Sequence, residues 1–507
     1  MFQSFRKNNT KKSTDNSSNM DMDTSADSFI HIDQTDKPSL SLKVTPRHDT
    51  IGIDVDQKST QFCATVTARD LPDDDESSRA PVDIVVALDV SSSMSGSKLQ
   101  LCKTTLSLLL RELSSSDRFG LVTFGSDVKL EIPTRKLTKL NKDNALAKIK
   151  SLNTNGCTNM SGGIGMAAQE INSVENPHKV QTIFLLTDGQ ANVGISDKEG
   201  MVNLTKGCLS PNKDQSTIPI HCFGYGSDHD REMLRDISLA TEGGTYYFVD
   251  DDSDVTSAFG DALGGVLSVV AQNTLVSLRV PEPSRALGVS ITNVNHDKAT
   301  KNSDGSYSVP LSDFYAEESR DILFEVTLST ESSAAPVDHV EASMSYLDTI
   351  NSKLVQGDNS QGSIARPLGN DLSPANEHVL LQCIRIQTTE VISQAEKLAN
   401  NGQLSNAKAV ISSHIAHLQK ESDSLANKSN PLVTQMLTEL NTMLAGLTSR
   451  TAYESSGAMY MQTRLMNHKA QRASESCDVT FSTYRSSAKH ACATKMKRAF
   501  LESVNKP

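Results

Sequence analysis

Val82-Asp83-Ile84-Val85-Val86-Ala87-Leu88-Asp89-Val90-Ser91-Ser92-Ser93 is the stretch whose reading decides the fold. A nearly unbroken apolar run reads as a strand buried on both faces. It ends in one carboxylate and two hydroxyls at alternate positions, just ahead of a helical pattern. In an extended loop alternate residues point the same way, so Asp89, Ser91 and Ser93 can converge on one point. Hard oxygens gathered at the carboxyl end of a buried strand suit a hard cation such as Mg²⁺.

Outward from this run, short apolar strands alternate with helical segments. Phe119–Phe124, Thr182–Leu186, Ile218–Phe223 and Thr245–Val249 read as strands. Leu99, Cys102, Leu106, Leu109, Leu110 and Leu113 recur three and four apart and predict a helix. Further helices are expected over Asp143–Leu152, Gly163–Val174, Lys198–Cys208, Asp230–Ala240 and Val255–Val270. Such alternation predicts an α/β fold, a doubly wound, mostly parallel, Rossmann-like sheet with helices on both faces. Its ligand site belongs beyond the carboxyl ends of the strands, where Asp89 sits.

The flanks read differently. Residues 1–36 are polar and aperiodic, as in a disordered tail. Leu40–Val44 and Gln61–Val66 alternate with period two, and so do Val276–Val280, Val289–Ile291, Ile322–Leu328 and Val340–Tyr346. The expected order is N-terminal strands over 37–80, the α/β domain over 81–272 and a β-sandwich over 273–365. The first strands join that sandwich, so the α/β domain is inserted in it or flanked by it. Three apolar stripes then predict helical hairpins over 374–450, beginning with Val379, Leu380 and Ile384. Residues 451–507 form a partly helical tail, and from Arg450 to the end the chain holds ten Lys or Arg against four Asp or Glu. Its basic residues from Arg464 to Arg498 read as a solvated helical face rather than a docking surface.

Composition excludes several functions. A chain of 507 residues needs more than one core. A net charge of −12, no Trp and 5% aromatic residues argue against nucleic-acid binding. The longest apolar run, near Leu263–Val270, is too short for a membrane span. No secretory signal is visible at the start, so the eight scattered cysteines read as reduced thiols of a cytoplasmic protein. None forms a C-x-x-C pair, which argues against a structural zinc site or a RING module. Cys477 and Cys492, near His490, read as inert thiols. Asp73-Asp74-Asp75 and Asp250-Asp251-Asp252 read as solvated acidic loops.

Two further segments complete the first motif. Asn155-Gly156-Cys157-Thr158-Asn159 offers a hydroxyl ahead of a helix, and Leu185-Leu186-Thr187-Asp188-Gly189 ends another strand in a carboxylate. With these the chain resembles the von Willebrand factor type A domain bearing a metal-ion-dependent adhesion site. The resemblance covers about residues 82–272, and five ligand positions match: Asp89, Ser91, Ser93, Thr158 and Asp188. It implies Mg²⁺, with Mn²⁺ or Ca²⁺ as substitutes, and a partner protein that supplies an Asp or Glu to the ion's open position. The segment from Ser455-Ser456-Gly457 to Gln471-Arg472-Ala473 resembles the helical region of intein-associated A-domain proteins, and the layout is similar to plant A-domain RING proteins. Neither the intein-like module nor the RING itself is visible.

The expected function is a metal-dependent intracellular scaffold or adaptor that binds protein rather than catalysing. Relatives bearing other modules imply an adaptor in ubiquitin handling or vesicle traffic as the alternative. Metal-dependent hydrolysis fits less well: where phosphoryl-transfer enzymes carry Asp-x-Asp, Ser91 replaces the second carboxylate, and no His lies near in sequence. The sequence does not indicate an oligomeric state.

Overall fold

Two strands, β1 (Leu40–Pro46) and β2 (Ser59–Ala68), pair antiparallel before the α/β region. The computed structural model describes residues 38–71, 79–188, 191–209, 217–226, 229–249, 252–357, 359–424, 430–472, 483–484 and 486–504. The expected tail over 1–36, Asp73–Asp75, Asp250, Asp251, Gly189 and Cys477 lie outside these residues.

The quoted run forms β3 (Val82–Asp89), and all eight of its residues are buried. Its side chains divide between two cores. Val82, Ile84, Val86 and Leu88 face α1 (Ser97–Glu112), α2 (Lys139–Ser151) and α6 (Asp252–Leu267). Val85 and Ala87 face α3 (Met160–Asn172), α4 (Lys198–Leu209) and α5 (Arg231–Leu239). Burial on both faces is what an almost continuous apolar strand requires. The other strands are β4 (Arg118–Phe124), β5 (Val128–Lys136), β6 (Val180–Thr187), β7 (Ile220–Tyr225) and β8 (Tyr246–Val249). The sheet runs β5-β4-β3-β6-β7-β8, parallel throughout except for β5, which is antiparallel to β4. β5 is absent from the sequence reading. None of its residues is fully buried, and Pro133 breaks its pattern, as an edge strand permits.

Val269 and Val270, expected to end the last helix, instead begin β9 (Val269–Arg279). The helix stops at Leu267, and the chain passes directly into a sandwich. The remaining elements are α7 (Glu282–Ala286), β10 (Ile291–Val294), β11 (Thr300–Lys301), β12 (Tyr307–Leu311), β13 (Phe314–Tyr315), β14 (Ser319–Thr327), β15 (Ser333–Asp348), β16 (Lys353–Gln356) and β17 (Ser360–Arg366). One sheet is β1-β2-β14-β10; the other is β11-β12-β9-β15-β16, with β13 on β9 and β17 on β15. Phe62, Phe324, Val276, Tyr346 and Ile364 meet between them. The α/β unit is therefore inserted between β2 and β9.

The rest is helical: α8 (Glu377–Asn400), α9 (Leu404–Ser424), α10 (Pro431–Gly446), α11 (Arg450–Ala452), α12 (Ala458–Ala470) and α13 (Ser487–Val504). Ile392, Ile411, Met436, Leu440 and Tyr453 form its core. The solvated basic face expected for the tail forms only in part: Lys469, Lys495, Lys497 and Arg498 are exposed, whereas Arg464, Arg472 and Lys489 are largely withdrawn from solvent. Arg472 Nε pairs with Glu318 Oε1 at 2.7 Å, and its guanidinium lies 3.7 Å from the centre of the Tyr315 ring. Lys489 Nζ pairs with buried Asp261 at 3.0 Å, and Lys495 with Glu112 at 2.6 Å. The counter-charges sit just before β14, on α6 and on α1, far away in sequence, so charge count along the tail did not reveal them. α13 lies so close along α6 that a Cβ at Gly260 would stand 2.3 Å from the Ala493 Cα.

Candidate metal centre

β3 and β6 are neighbours at the middle of the sheet, where the strand order reverses. Their carboxyl ends deliver Asp89 and Asp188, both buried. Asp89 Oδ1 accepts the Ser91 N–H at 2.7 Å, which folds the chain into a tight turn, and Asp89 Oδ2 accepts the Thr187 hydroxyl at 2.6 Å. The Ser91 and Ser93 hydroxyl oxygens lie 3.0 Å apart, and Ser93 donates to Asp188 Oδ1 at 2.8 Å. Four of the five expected ligands thus form one connected polar chain.

Thr158 joins them through its loop. Ser92 donates its N–H to Gly156 O at 2.9 Å, and Asn155 donates to Val90 O at 2.5 Å. The Thr158 N–H donates to Asn192 Oδ1 at 2.8 Å, while its carbonyl accepts from the Asn192 and Val193 amides. Asn159 caps α3 through Gly162 N–H at 3.0 Å. Gly163 admits the close approach of α3 to the sheet, since a Cβ there would stand 2.4 Å from the Phe124 ring. Gly162 is likewise close-packed, with a Cβ there 2.8 Å from Val128, whereas Gly165 faces open space.

Burial pushes the Asp89 carboxyl above its ordinary range, and hydrogen bonds from Thr187 and Ser91 oppose that. The neighbouring Asp188 charge pushes it further up. Lys98, the second residue of α1, pairs its ammonium with Asp188 Oδ2. Sequence reading passed over Lys98, Thr187 and Asn192. A signal existed for Lys98, because a cation in the first turn opposes the helix dipole and needs a local partner. Asn192 carried none.

The donors are all oxygen: carboxylates from Asp89 and Asp188 and hydroxyls from Ser91, Ser93 and Thr158. That set fits a hard cation of the Mg²⁺ kind and excludes a preference for soft metals. Among the described residues no helix is long and apolar enough to cross a membrane.

Comparison with known proteins agrees with the α/β fold. Residues 83–261 match the von Willebrand factor type A domain, and residues 430–498 match the VWA / Hh protein intein-like segment. The chain is 27% identical over 344 residues to the E3 ubiquitin-protein ligase WAV3 of Arabidopsis thaliana, covering 67% of this chain and 43% of that protein. It is 26% identical over 250 residues to the uncharacterized protein YfbK of Escherichia coli (strain K12), covering 48% and 42%. The chain thus spans less than half the length of both curated relatives. A solved von Willebrand factor type A structure from Catenulispora acidiphila superposes with a TM-score of 0.59 at 14% identity, over 85% of this chain and 98% of that one. At that identity it shows the fold alone. Residues 83–261 of this chain are a von Willebrand factor type A domain, a protein-interaction module, followed by a C-terminal segment of the intein-associated type.

Proposed function

We propose that Asp89, Ser91, Ser93, Thr158 and Asp188 hold Mg²⁺ and that the module captures an Asp or Glu of a partner protein through it. The observation that supports this best is the connected chain from Asp89 through Ser91 and Ser93 to Asp188 at the carboxyl ends of β3 and β6. When bound, the ion supplies a positive site with exchangeable positions that an incoming carboxylate can fill.

The chain's own residues tune that charge. Lys98 already balances Asp188, so only the Asp89 carboxylate remains to offset a divalent ion, and a partner's carboxylate becomes the compensating ligand. Thr187 and the Ser91 amide fix the Asp89 oxygens before any partner arrives. The reading is one of binding, with Mn²⁺ or Ca²⁺ as substitutes, and its proposed setting is the cytoplasm.

The test is affinity purification from lysate in Mg²⁺, followed by binding of the recovered partner with and without EDTA and to Asp89→Ala. EDTA and the substitution should each abolish binding. Binding indifferent to both overturns the metal bridge. A second reading, an adaptor for ubiquitin transfer, is favoured by the similarity to WAV3 over 67% of this chain. A partner set free of ubiquitin-transfer components would dismiss it.

A further inference from the structure

Away from the oxygen-lined centre, three segments distant in sequence bring a thiol, a carboxylate and an imidazole to one point. Cys63 and Thr65 lie on β2, Asp321 on β14 and His378 in the first turn of α8. Asp321 pairs across the strands with Thr65, and Leu323 with Cys63, so all four side chains share the outer face of the sheet. Asp321 Oδ1 lies 3.4 Å from Cys63 Sγ and 2.8 Å from His378 Nε2, and the sulfur and that nitrogen are 3.9 Å apart.

We propose that Cys63, Asp321 and His378 form a zinc site that fastens α8 to the sandwich. Zn²⁺ held tetrahedrally at its usual distances sets its S, N and O ligands about 3.3–3.6 Å apart. The sulfur–oxygen separation lies inside that range, the sulfur–nitrogen one 0.3 Å above it, and the oxygen–nitrogen pair, hydrogen-bonded at 2.8 Å, must open by about half an ångström to admit the ion. The set also balances charge, since a thiolate and a carboxylate neutralise the ion while the imidazole stays neutral. Binding releases the thiol proton to solvent, together with the Nε2 proton when that nitrogen carries one. The mixed S, N and O ligands favour zinc over Mg²⁺. Thr65 Oγ1, 3.2 Å from His378 Nε2, lines the remaining side together with solvent, because His378 is half exposed.

A catalytic Cys-His-Asp relay does not fit these atoms. Such a relay needs the carboxylate on one ring nitrogen and the thiol on the other, whereas here a single Nε2 faces both. Cys63 is moreover wholly buried, which denies a substrate access to its sulfur. Convergence of all three donors on one point is what a metal requires.

The surroundings suit a fastening role. The apolar contact of α8 with the sandwich is small, with Cys63, Leu323 and Val379 buried and Cys383 and Ile386 at its margin. Asp321 is held in place by Gln471, which accepts its N–H at 2.9 Å and donates to its carbonyl at 2.8 Å. The missing C-x-x-C pair misled the sequence reading here, because each ligand comes from a different element.

The experiment uses the untagged full chain, passed through gel filtration in excess Mg²⁺ and assayed for bound zinc by mass spectrometry. Co²⁺ substitution then probes for a thiolate-to-cobalt charge-transfer band. One zinc per chain is expected in the wild type, in Asp89→Ala and in Cys383→Ser. Zinc affinity should fall by more than about a hundredfold in His378→Gln and in Cys63→Ser. His378→Gln carries the test if loss of the buried thiol prevents folding. Zinc retained by His378→Gln, a cobalt spectrum without the thiolate band, or zinc lost in Asp89→Ala would each overturn the assignment. The last result would place the metal in the oxygen-lined centre instead.

Discussion

Replacing Glu318 with Gln tests what holds the C-terminal tail against the sandwich. Glu318 is buried, and its Oε2 accepts Arg320 Nη2 and Arg472 Nη2, each at 2.9 Å, and the Tyr315 N–H at 3.0 Å. Burial alone would raise this carboxyl, but the Arg320 and Arg472 guanidiniums win and hold it at about 2, against 4.5 for the free side chain. That depression corresponds to about 3 kcal/mol of stability at neutral pH. Because the folded value is the lower one, this contribution is complete above 4.5 and lost as pH falls through 2. Glu318→Gln keeps the shape but leaves two buried guanidiniums without their shared counter-charge, so the expected loss at neutral pH is about 3–5 kcal/mol. The gap to the wild type should then shrink by roughly 1.4 kcal/mol for each pH unit below that of the free carboxyl. Urea unfolding followed by circular dichroism from neutral pH to about pH 3 measures it. With no Trp in the chain, tyrosine emission is a second probe. A gap that stays constant with pH would show that the site senses shape rather than charge and would refute the reasoning.

Lys98→Gln should raise Mg²⁺ affinity several-fold, by freeing the Asp188 charge, and lower affinity for a carboxylate ligand by a similar factor; calorimetry of each step checks the opposite signs. Asp313, whose carboxyl burial raises to about 6, ionises at a cost in the folded chain, so Asp313→Asn should stabilise the chain at neutral pH by about 1–2 kcal/mol and not at all in acid. Thermal melts at two pH values decide that case. Gly260→Val should force α13 away from α6, because even a Cβ meets backbone at 2.3 Å. Limited proteolysis should then cut α13 several-fold faster while the α/β core resists as before.

How much of the fold is legible in sequence depends on how local its cause is. β3 is legible because burial on both faces writes itself as an apolar run, and α1 because Leu99, Cys102, Leu106 and Leu109 keep helical spacing toward one core. β5 is hidden, since an edge strand needs neither an apolar face nor freedom from proline. The junction at Leu267–Val269 is hidden too, because a buried helix end and a buried strand start share the same apolar composition. Two of the tail's charges are hidden for a related reason: Arg472 and Lys489 look solvated until Glu318 and Asp261 are known to lie beside them.

The two candidate metal centres divide along the same line. Asp89, Ser91 and Ser93 sit within five residues because a strand end and one turn suffice to aim them, so the sequence displays their spacing directly. Thr158 and Asp188 add one loop and one neighbouring strand, and the α/β alternation already predicts that both reach the same edge. Lys98 balances a charge rather than ligating, so its one trace in sequence is a cation placed in the first turn of a helix. Cys63, Asp321 and His378 lie at the opposite extreme. Their meeting depends on the α/β insertion returning the chain to β14, on the cross-strand register that sets Asp321 against Thr65, and on where α8 begins. Each of those is a tertiary fact, so such a site leaves no trace in spacing, and the absence of a cysteine motif carries no weight against it.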